Sequence, residues 1–459
     1  MRAIDTRVFQ RLRNIKQLGL VSLVFPGADY SRFSHSLGAC HLMGRAFDAL
    51  NQSGAGVADD MMQRYRLAAL LHDVGHYPYS HLMEDVLRDF YAGSLLSEPD
   101  DDPGAKHDEP RLTTPPNHER VGKEILEQDE ELIRVLEAYS VQPQEIFNIF
   151  MRQENPPFVS LMSSDLDVDR LDYLQRTATH SGLPYGAVDV DYLMSQLTLD
   201  TNGMVCLTKK ALRTADHFLL ARNFDYQQVA YHKTVAAFEL VLKDVIRGML
   251  TAGFFQCDSN WVKDAIRTSK WPDFDDARML GLIREYAANL DRGSTDLIKA
   301  RAVLDRRPPK MVANVEFVER NNSTSNSWYV LRKQSLLDEM DKIASELRID
   351  RNLWYEWRPS KTAFTKGTSE LSAATLNRAE DIEQEREHLQ ESIMILDDHT
   401  GVGKPLMLEE SSWMKVLSNY RRYSFRIYLL TPDDNIDQVR EVRARLLEKS
   451  RSGRSGGDR

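Results

Sequence analysis

An apolar run that ends in a histidine and aspartate pair constrains this chain more than any other stretch. Leu67 to Leu71 show no alternation of polar and apolar residues, which predicts a largely buried helix from Met61 to Val74. At the end of the run stand His72 and Asp73. An imidazole buried beside a carboxylate is costly unless each has a partner, and one divalent cation serves both. The pair therefore indicates a metal site, unless other protein groups satisfy it at a helix end.

More histidines follow the pair within nine residues. His76 lies four positions after His72, which would place both on one face of a helix, and His81 opens a second helix predicted to reach Tyr91. Another pair, His107 and Asp108, has no apolar run before it and sits among proline and acidic residues. It is interpreted as a solvated loop without a role, because the context and not the dipeptide carries the prediction.

Composition places the chain among ordinary soluble proteins. Its 459 residues are 42% hydrophobic and 28% charged, which suits a large core and two or three domains. The formal net charge of -10 argues against a broad nucleic-acid surface, although a local basic groove would not show in that sum. No apolar run approaches the roughly 18 residues of a membrane span. Three distant cysteines, Cys40, Cys206 and Cys257, fit no disulfide framework and indicate a reduced, cytoplasmic setting.

The N-terminal half predicts further helices. Ile4 to Leu20 carries a helical apolar stripe with basic residues between its members. Arg32 to Leu50 is the next predicted helix, and Arg32 and His35 share one face of its first turn. After a polar, proline-bearing loop at 97–116, a single helix is predicted from an Asn117 cap to about Tyr139. Charged groups from separate helices thus have the opportunity to meet.

A cluster of carboxylates occupies Leu161 to Arg176. Its members are Asp165, Asp167, Asp169 and Asp172. Carboxylates this close repel one another, so the segment needs a cation, basic partners or abundant water. A solvated face is the ordinary interpretation, but Asp169 and Asp172 border an apolar stripe, and one of them is placed to complete a site.

The C-terminal half changes character. Leu197 to Leu207 predicts a hairpin, and helices are predicted over 211–249 and 261–301. Beyond Pro308 three short runs predict strands: Trp328 to Leu331, Ile393 to Leu396 and Tyr423 to Leu430. The expected fold class is mainly α, with an all-helical core and a smaller α+β C-terminal region. The expected boundaries are a core at 1–260, a C-terminal region at 261–450 for oligomerisation or regulation, and a disordered tail at 451–459.

Three predicted helices supply the candidate ligands His35, His72, Asp73 and Asp169. Imidazole and carboxylate together suit a borderline or harder cation such as Mn, Fe, Zn, Ni or Mg. Such a metal makes hydroxide available near neutral pH, so the set favours hydrolysis. The order of these residues resembles the HD-domain metal-dependent phosphohydrolases. Segments such as VFPGADYSRFSHSLG, LLHDVGHYPYSH, NHE and DVDRLDY, within about Ile4 to Lys233, resemble more closely the deoxynucleoside triphosphate triphosphohydrolases.

The resemblance implies an all-helical HD core and a role for each matching residue. It makes the four candidate ligands the holders of one divalent metal ion. His76 and His118 would face the phosphates, His81 would protonate the departing sugar oxygen, and Glu84 would orient His81 where the family has an aspartate. The implied substrate contacts are Gln17, Leu18, Arg32, Arg170, Tyr173, Arg222, Tyr226 and Lys233. Asp5, Gln10 and Arg13 match an activator site for guanine nucleotides at subunit interfaces.

Two departures from the family concern the sugar. Ala230 and Tyr226 stand where the family has a tyrosine and a histidine, so the preference for deoxyribose over ribose is less fixed than the catalysis. The implied reaction is attack of water on the α-phosphorus of a deoxynucleoside triphosphate, which releases a deoxynucleoside and tripolyphosphate. An activating nucleotide and a homo-oligomer, with a tetramer favoured, follow from the same resemblance.

Two other functions stay open at this point. One is a related HD phosphohydrolase with a different cut, such as a ribonucleotide pyrophosphohydrolase or a phosphodiesterase. The other is a non-catalytic nucleotide sensor or nucleic-acid-binding module that keeps the fold. The products formed from a nucleotide panel separate the first from the main hypothesis, and function that survives loss of the metal would indicate the second.

Overall fold

The computed structural model describes residues 2–92, 114–152, 158–320, 323–359, 391–432 and 435–452. Its N-terminal segment differs from the single helix predicted over Ile4 to Leu20. The chain forms one short α-helix, α1 (Arg7–Gln10), between 3-10 turns at Arg2–Asp5, Arg11–Asn14 and Gly19–Leu23. The prediction was wrong because the backbone near Ile15 is extended and pairs with the chain just before the next helix. Gln17 N donates to Tyr30 O at 3.1 Å, and Arg32 N donates to Ile15 O at 2.9 Å.

Four helices position the candidate site. They are α2 (Arg32–Gln52), α3 (Asp59–Leu71), α4 (His81–Tyr91) and α8 (Val168–Ser181). Helix α2 packs against both α3 and α8, and its buried face carries Ala39, Met43, Ala46, Phe47 and Leu50. Burial of this face holds the start of α2 between the other two helices, which is where the candidate ligands lie.

The remaining helices of the N-terminal part surround these four. They are α5 (His118–Gln128), α6 (Glu130–Glu137), α7 (Pro143–Phe150), α9 (Val190–Ser195), α10 (Leu212–Asp225) and α11 (Lys233–Thr251). A π-helical turn, Tyr226–Ala230, joins α10 to α11. The single helix predicted to run to Tyr139 was wrong: Asp129 adopts an extended conformation, and its side chain accepts the Leu132 N–H at 2.8 Å to cap α6.

The C-terminal part mixes helices and strands, as predicted. Its helices are α12 (Ser259–Arg267), α13 (Asp276–Ala288), α14 (Thr295–Leu304), α15 (Ser323–Glu346), α16 (Trp413–Leu417) and α17 (Ile436–Ser452). The strand predicted at Trp328 to Leu331 was wrong, because this run lies inside α15. Four residues of strand-favouring type are overridden by the helix-forming residues that follow them.

Two small sheets complete the fold. The predicted hairpin is confirmed as β1 (Leu197–Leu199) and β2 (Val205–Leu207), and β5 (Met394–Leu396) and β6 (Gly403–Pro405) extend its sheet. The second sheet is antiparallel and has the order β3 (Lys310–Arg320), β7 (Tyr420–Leu429) and β4 (Trp354–Trp357). The predicted strands at Ile393 to Leu396 and Tyr423 to Leu430 are therefore confirmed.

One continuous hydrophobic core includes residues from Ala3 to Leu446. The mainly helical fold class is confirmed, whereas the boundary near residue 260 stays a prediction. None of the helices of the described residues combines the length and the apolar character needed to cross a membrane. Most of the predicted 97–116 loop, with His107 and Asp108, and most of the predicted tail lie outside the described residues.

Candidate metal centre and active site

His35 lies at the centre of the site, in the first turn of α2, and is fully buried. Its Nδ1 is 2.8 Å from Asp172 Oδ2 and its Nε2 is 3.0 Å from Asp169 Oδ1. Burial lowers the pKa of His35, but its contacts with Asp169 and Asp172 outweigh burial and raise the pKa to about 10. The carboxylates therefore strongly favour positive charge at this position.

His72 presents one nitrogen to the same place. Its Nδ1 lies 2.8 Å from Ala69 O, and because a carbonyl oxygen only accepts, Nδ1 carries the proton. Nε2 then keeps its lone pair, 3.3 Å from Asp73 Oδ1. A histidine whose second nitrogen donates to a backbone carbonyl is the usual arrangement of a metal ligand.

Asp73 is a buried carboxylate with a cationic partner. Arg32 Nη1 donates to its Oδ2 at 2.7 Å, and Arg32 Nε donates to Ser80 Oγ at 2.8 Å. Burial raises the pKa of Asp73, but Arg32, His72 and His76 lower it further, so the pKa lies well below its usual range. The ionised form needed for metal binding is thus held in place.

Close backbone packing brings these helices together. A Cβ added at Gly38, one turn after His35, would lie 1.7 Å from Asp172 Oδ1. A Cβ added at Gly75 would lie 2.1 Å from His118 O. Glycine at both positions is therefore required for α8 and α5 to approach the ligands.

A second group of side chains adjoins the first through His76, whose Nε2 is 3.2 Å from Asp73 Oδ1. The rings of His76 and His118 stack with centroids 4.0 Å apart and planes 10° apart. Glu84 Oε2 lies 3.0 Å from His118 Nδ1 and 3.4 Å from His81 Nδ1. Burial raises the pKa of Glu84, but its hydrogen bonds with His118 and His81 lower it further, well below the usual range. We call His76, His81, Glu84 and His118 the imidazole cluster.

Comparison with known proteins covers this region. The HD domain family matches residues 32–177, from the start of α2 into α8. The chain contains an HD domain. HD domains bind divalent metal ions, and His35, His72 and Asp73 offer ligand atoms within 4.8 Å of one another. The buried His35 Nε2 faces Asp169 Oδ1 at 3.0 Å, so imidazole nitrogen and carboxylate oxygen meet at one place and the donor set of this HD domain fits a cation.

Relatives of the HD domain differ in how much of the chain they match. An uncharacterized protein of Bacillus subtilis, YwfO, is 31% identical over 245 residues, 53% of this chain and 50% of that protein. The deoxynucleoside triphosphate triphosphohydrolase SAMHD1 homolog of Dictyostelium discoideum is 46% identical over 83 residues, 18% of this chain and 16% of that protein. The chain thus spans about half the length of the first of these relatives and less of the second.

Solved structures share the fold over nearly the whole chain. A phosphohydrolase of Bacteroides thetaiotaomicron has a TM-score of 0.64 at 21% identity and covers 94% of both chains. A hypothetical protein of Aquifex aeolicus has a TM-score of 0.66 at 23% identity, covering 97% of this chain and 94% of its own. At these identities the likeness concerns the fold, including the C-terminal part outside the HD domain.

The substrate residues predicted on α8 and α10 lie near one another and are largely engaged. Arg170 donates to Asp167 and to Ser164 O. Arg222 Nη2 donates to Asp165 Oδ1 at 3.0 Å. The Tyr173 hydroxyl is buried and has no hydrogen-bond partner among the described residues. Both arginines therefore pair with carboxylates of the segment from Leu161 to Arg176. Their role toward a substrate stays a prediction.

The other predicted substrate residues lie on different walls. Gln17 Oε1 is buried without a hydrogen-bond partner in the described part of the chain, and Leu18 beside it is half-buried. The Tyr226 ring lies 5.7 Å from that of Tyr231. Lys233 is exposed at a separate pocket of about 550 Å³, which Arg422 and Arg426 also line. These assignments also stay predictions.

The predicted activator residues lie at the N-terminal surface. Asp5 and Arg13 are exposed. Arg13 Nε donates to Gln10 Oε1 at 2.7 Å, and its guanidinium stacks over the Phe33 ring at 3.6 Å. The assignment of these residues to an activator site stays a prediction.

Sequence reasoning missed the roles of Asp172, Arg176 and Ser80. Arg176 donates two hydrogen bonds to the Asp172 carboxylate, from Nε at 2.9 Å and from Nη2 at 2.7 Å. Asp172 is therefore held in position while it contacts His35. The i,i+4 spacing of Asp172 and Arg176 was a readable signal. The prediction that His72 and His76 share one face of a helix was wrong, because α3 ends at Leu71 and His76 follows in a turn.

Proposed function

We propose that this protein is a metal-dependent phosphohydrolase that converts deoxynucleoside triphosphates to deoxynucleosides and tripolyphosphate. One observation carries the proposal: the metal donors and the imidazole cluster adjoin directly, through the 3.2 Å contact of Asp73 with His76. This adjacency supports a reaction in which water activation and proton delivery to a leaving group occur side by side. The 46% identity to a deoxynucleoside triphosphate triphosphohydrolase over 83 residues supports the substrate class.

The residues that would hold the ion are His35, His72, Asp73 and Asp169. A divalent metal bound there would supply Lewis-acid activation of water and of the phosphate. The chain itself orients three of these donors: Asp172 contacts His35 Nδ1, Ala69 O accepts from His72 Nδ1, and Arg32 keeps Asp73 ionised. These three donors are thus oriented by a second group before any substrate arrives.

The role proposed for the imidazole cluster is to protonate the leaving group. Breaking the bond between the α-phosphorus and the 5' oxygen leaves an alkoxide, which needs a proton. His81 has an exposed side chain, and its Nδ1 lies 3.4 Å from Glu84 Oε2. In the proposed step, the water oxygen bonds to the α-phosphorus and the water's proton passes to solvent. The bond from phosphorus to the 5' oxygen breaks, the proton of His81 passes to that oxygen, and the deoxynucleoside and tripolyphosphate leave. In this proposal His76 and His118 face the phosphates, and Arg170 helps to neutralise their charge.

The direct test is product analysis. Purified protein is incubated with Mn²⁺ and each of the four deoxynucleoside and four ribonucleoside triphosphates, and products are separated by anion-exchange chromatography. Deoxynucleoside with tripolyphosphate is the expected pair, and Asp73→Ala should abolish it. His41→Ala is the matched control, because His41 is an exposed histidine of α2 outside both groups. Monophosphate or diphosphate products would contradict the proposal and indicate a different cut, and binding without hydrolysis would indicate a sensor.

Activation and assembly extend the same proposal. We infer a homo-oligomer, with a tetramer favoured, whose activity rises with a second nucleotide held near Asp5, Gln10 and Arg13. Light scattering after size-exclusion chromatography, with and without GTP, gives the mass of the assembly. A monomer whose rate ignores every added nucleotide would contradict this part and leave the hydrolysis intact.

A further inference from the structure

Two consecutive residues before α4 hold a backbone conformation that residues with side chains rarely adopt. Tyr79 and Ser80 both have a φ angle of 56°, and the ψ angle of Ser80 is -128°. Glycine adopts such angles readily, whereas a Cβ makes them unfavourable, so a serine stays there only if its surroundings hold it. Both residues are buried, and His81, the proposed proton donor, follows them as the first residue of α4.

Ser80 occupies the N-cap position of α4 without capping the helix. A serine at this position ordinarily accepts a hydrogen bond from an N–H group of the first helical turn. Here the side chain makes no such bond, and Ser80 Oγ instead accepts from Arg32 Nε at 2.8 Å. The same guanidinium donates from Nη1 to Asp73 Oδ2 at 2.7 Å. Arg32 therefore ties a proposed metal ligand to the residue that precedes the proposed proton donor.

Other hydrogen bonds of this turn act on its backbone. Tyr79 N donates to Asp276 Oδ1 at 2.8 Å, and Ser80 O accepts from Glu84 N at 3.3 Å in the first turn of α4. The bond to Asp276 holds the turn in place, whereas the contact with Arg32 acts on the side chain of Ser80. The orientation of Ser80 thus sets that of the first turn of α4, which carries two members of the imidazole cluster.

We propose that Ser80 is a positioning residue for His81. Held by Arg32, the backbone of Ser80 directs the first turn of α4 so that His81 Nδ1 stays 3.4 Å from Glu84 Oε2, beside the metal donors. The inference rests on the proposed function, in which His81 protonates the leaving 5' oxygen. It adds a physical link that keeps the proton donor at a fixed position relative to the metal group, and it gives Arg32 a role inside the protein.

Two substitutions separate the backbone of Ser80 from its hydroxyl. Ser80→Ala keeps the Cβ and removes the acceptor of Arg32, so the turn should relax, and kcat should fall by about 10- to 100-fold because the proton donor is misplaced. Ser80→Gly also lacks the hydroxyl but adopts the same angles without strain, so its kcat should stay within about threefold of wild type. Equal losses in the two variants would mean that the hydroxyl itself acts on the substrate, and would overturn the proposal.

A double variant measures the coupling between Ser80 and His81. If Ser80 acts through His81, Ser80→Ala should cause no further loss of kcat when His81→Ala is already present. Losses that multiply would indicate a merely structural role and would overturn the proposal. Ser294→Ala is the control and should leave kcat unchanged, because Ser294 caps α14 in the ordinary way, with its Oγ accepting from Leu297 N at 3.2 Å. Circular dichroism checks that every variant is folded.

Crystal structures of the two Ser80 variants test the positioning without reference to activity. In Ser80→Ala we expect the turn to leave the left-handed region and His81 to lose its contact with Glu84, whereas Ser80→Gly should keep the angles and the contact. An unmoved His81 in Ser80→Ala would overturn the proposal, even in an active enzyme. A wild type that releases no deoxynucleoside, together with a displaced His81 in Ser80→Ala, would keep the positioning and lose the hydrolysis.

Discussion

The two adjoining groups of this HD domain are built in opposite ways. Every donor of the metal group is buried or half-buried, and three of the four are oriented by another group: Asp172 contacts His35, Ala69 O contacts His72 and Arg32 contacts Asp73. The imidazole cluster depends on one carboxylate, Glu84, which His81 and His118 share, and His81 is open to solvent. A charge in a water-free interior requires fixed partners, whereas a residue that exchanges protons requires access to substrate and water. The two groups thus differ in burial and in how firmly their side chains are oriented.

The largest expected effect comes from breaking the rigid group. Asp73→Ala removes a ligand and leaves Arg32 buried without its counter-charge, so the free energy of unfolding should fall by about 3–5 kcal/mol. Activity and tightly bound metal should both disappear, as measured by urea unfolding, product release and elemental analysis. Asp191→Ala is the control, because Asp191 pairs with Arg45 at the surface and should change stability by less than about 1 kcal/mol. Equal effects of the two variants would contradict the comparison.

The next effect concerns the open group. His81→Ala should lower kcat by about 10²- to 10⁴-fold while the metal stays bound, because only the general acid is lost. A substrate with a bridging 5' sulfur leaves as a thiolate that needs little protonation, so the same variant should lose much less on it. Equal losses on the oxygen and sulfur substrates would show that His81 does not donate the proton.

An intermediate effect is expected from the orienting residue. Asp172→Asn should weaken Mn²⁺ binding by about 10- to 100-fold, because His35 loses the carboxylate that fixes its ring. Titration followed by electron paramagnetic resonance measures this affinity. Asp48→Asn, at an exposed position of α2, is the matched control. Unchanged affinity in Asp172→Asn would mean that packing alone orients His35.

The smallest effect is a dependence of stability on pH. The pKa of Glu84 is depressed in the folded protein, so its contribution to stability is present above its ordinary value of 4.5 and is lost as pH falls. The difference in unfolding free energy between wild type and Glu84→Gln should therefore shrink below about pH 4.5. A difference that stays constant down to pH 3, in chemical unfolding followed by fluorescence, would contradict the carboxylate's role.

Sequence predicted best what lies close along the chain. The apolar run before His72, the first turn that holds Arg32 and His35, and the hairpin at 197–207 follow from spacing and turn residues, and the structure has all three. The HD domain itself was predicted from the order of its sequence motifs, because each motif is a short local pattern.

Contacts between distant segments were harder to predict. Asp172 meets His35 only because Gly38 lets α8 approach α2, and no local pattern states which helices will touch. The N-terminal segment left the helical conformation because Ile15 and Gln17 pair with the backbone before α2. The run at Trp328 to Leu331 became helix for the opposite reason, since the residues after it continue α15. In each case tertiary context outweighed local preference.

The most direct test of the proposed metal centre is a crystal structure of the protein grown with Mn²⁺, with anomalous diffraction used to locate the ion. We expect one anomalous peak, from an ion bound by His35 Nε2, His72 Nε2, Asp73 and Asp169 together. A peak held elsewhere, or one that lacks His35 or Asp169 as a ligand, would contradict it.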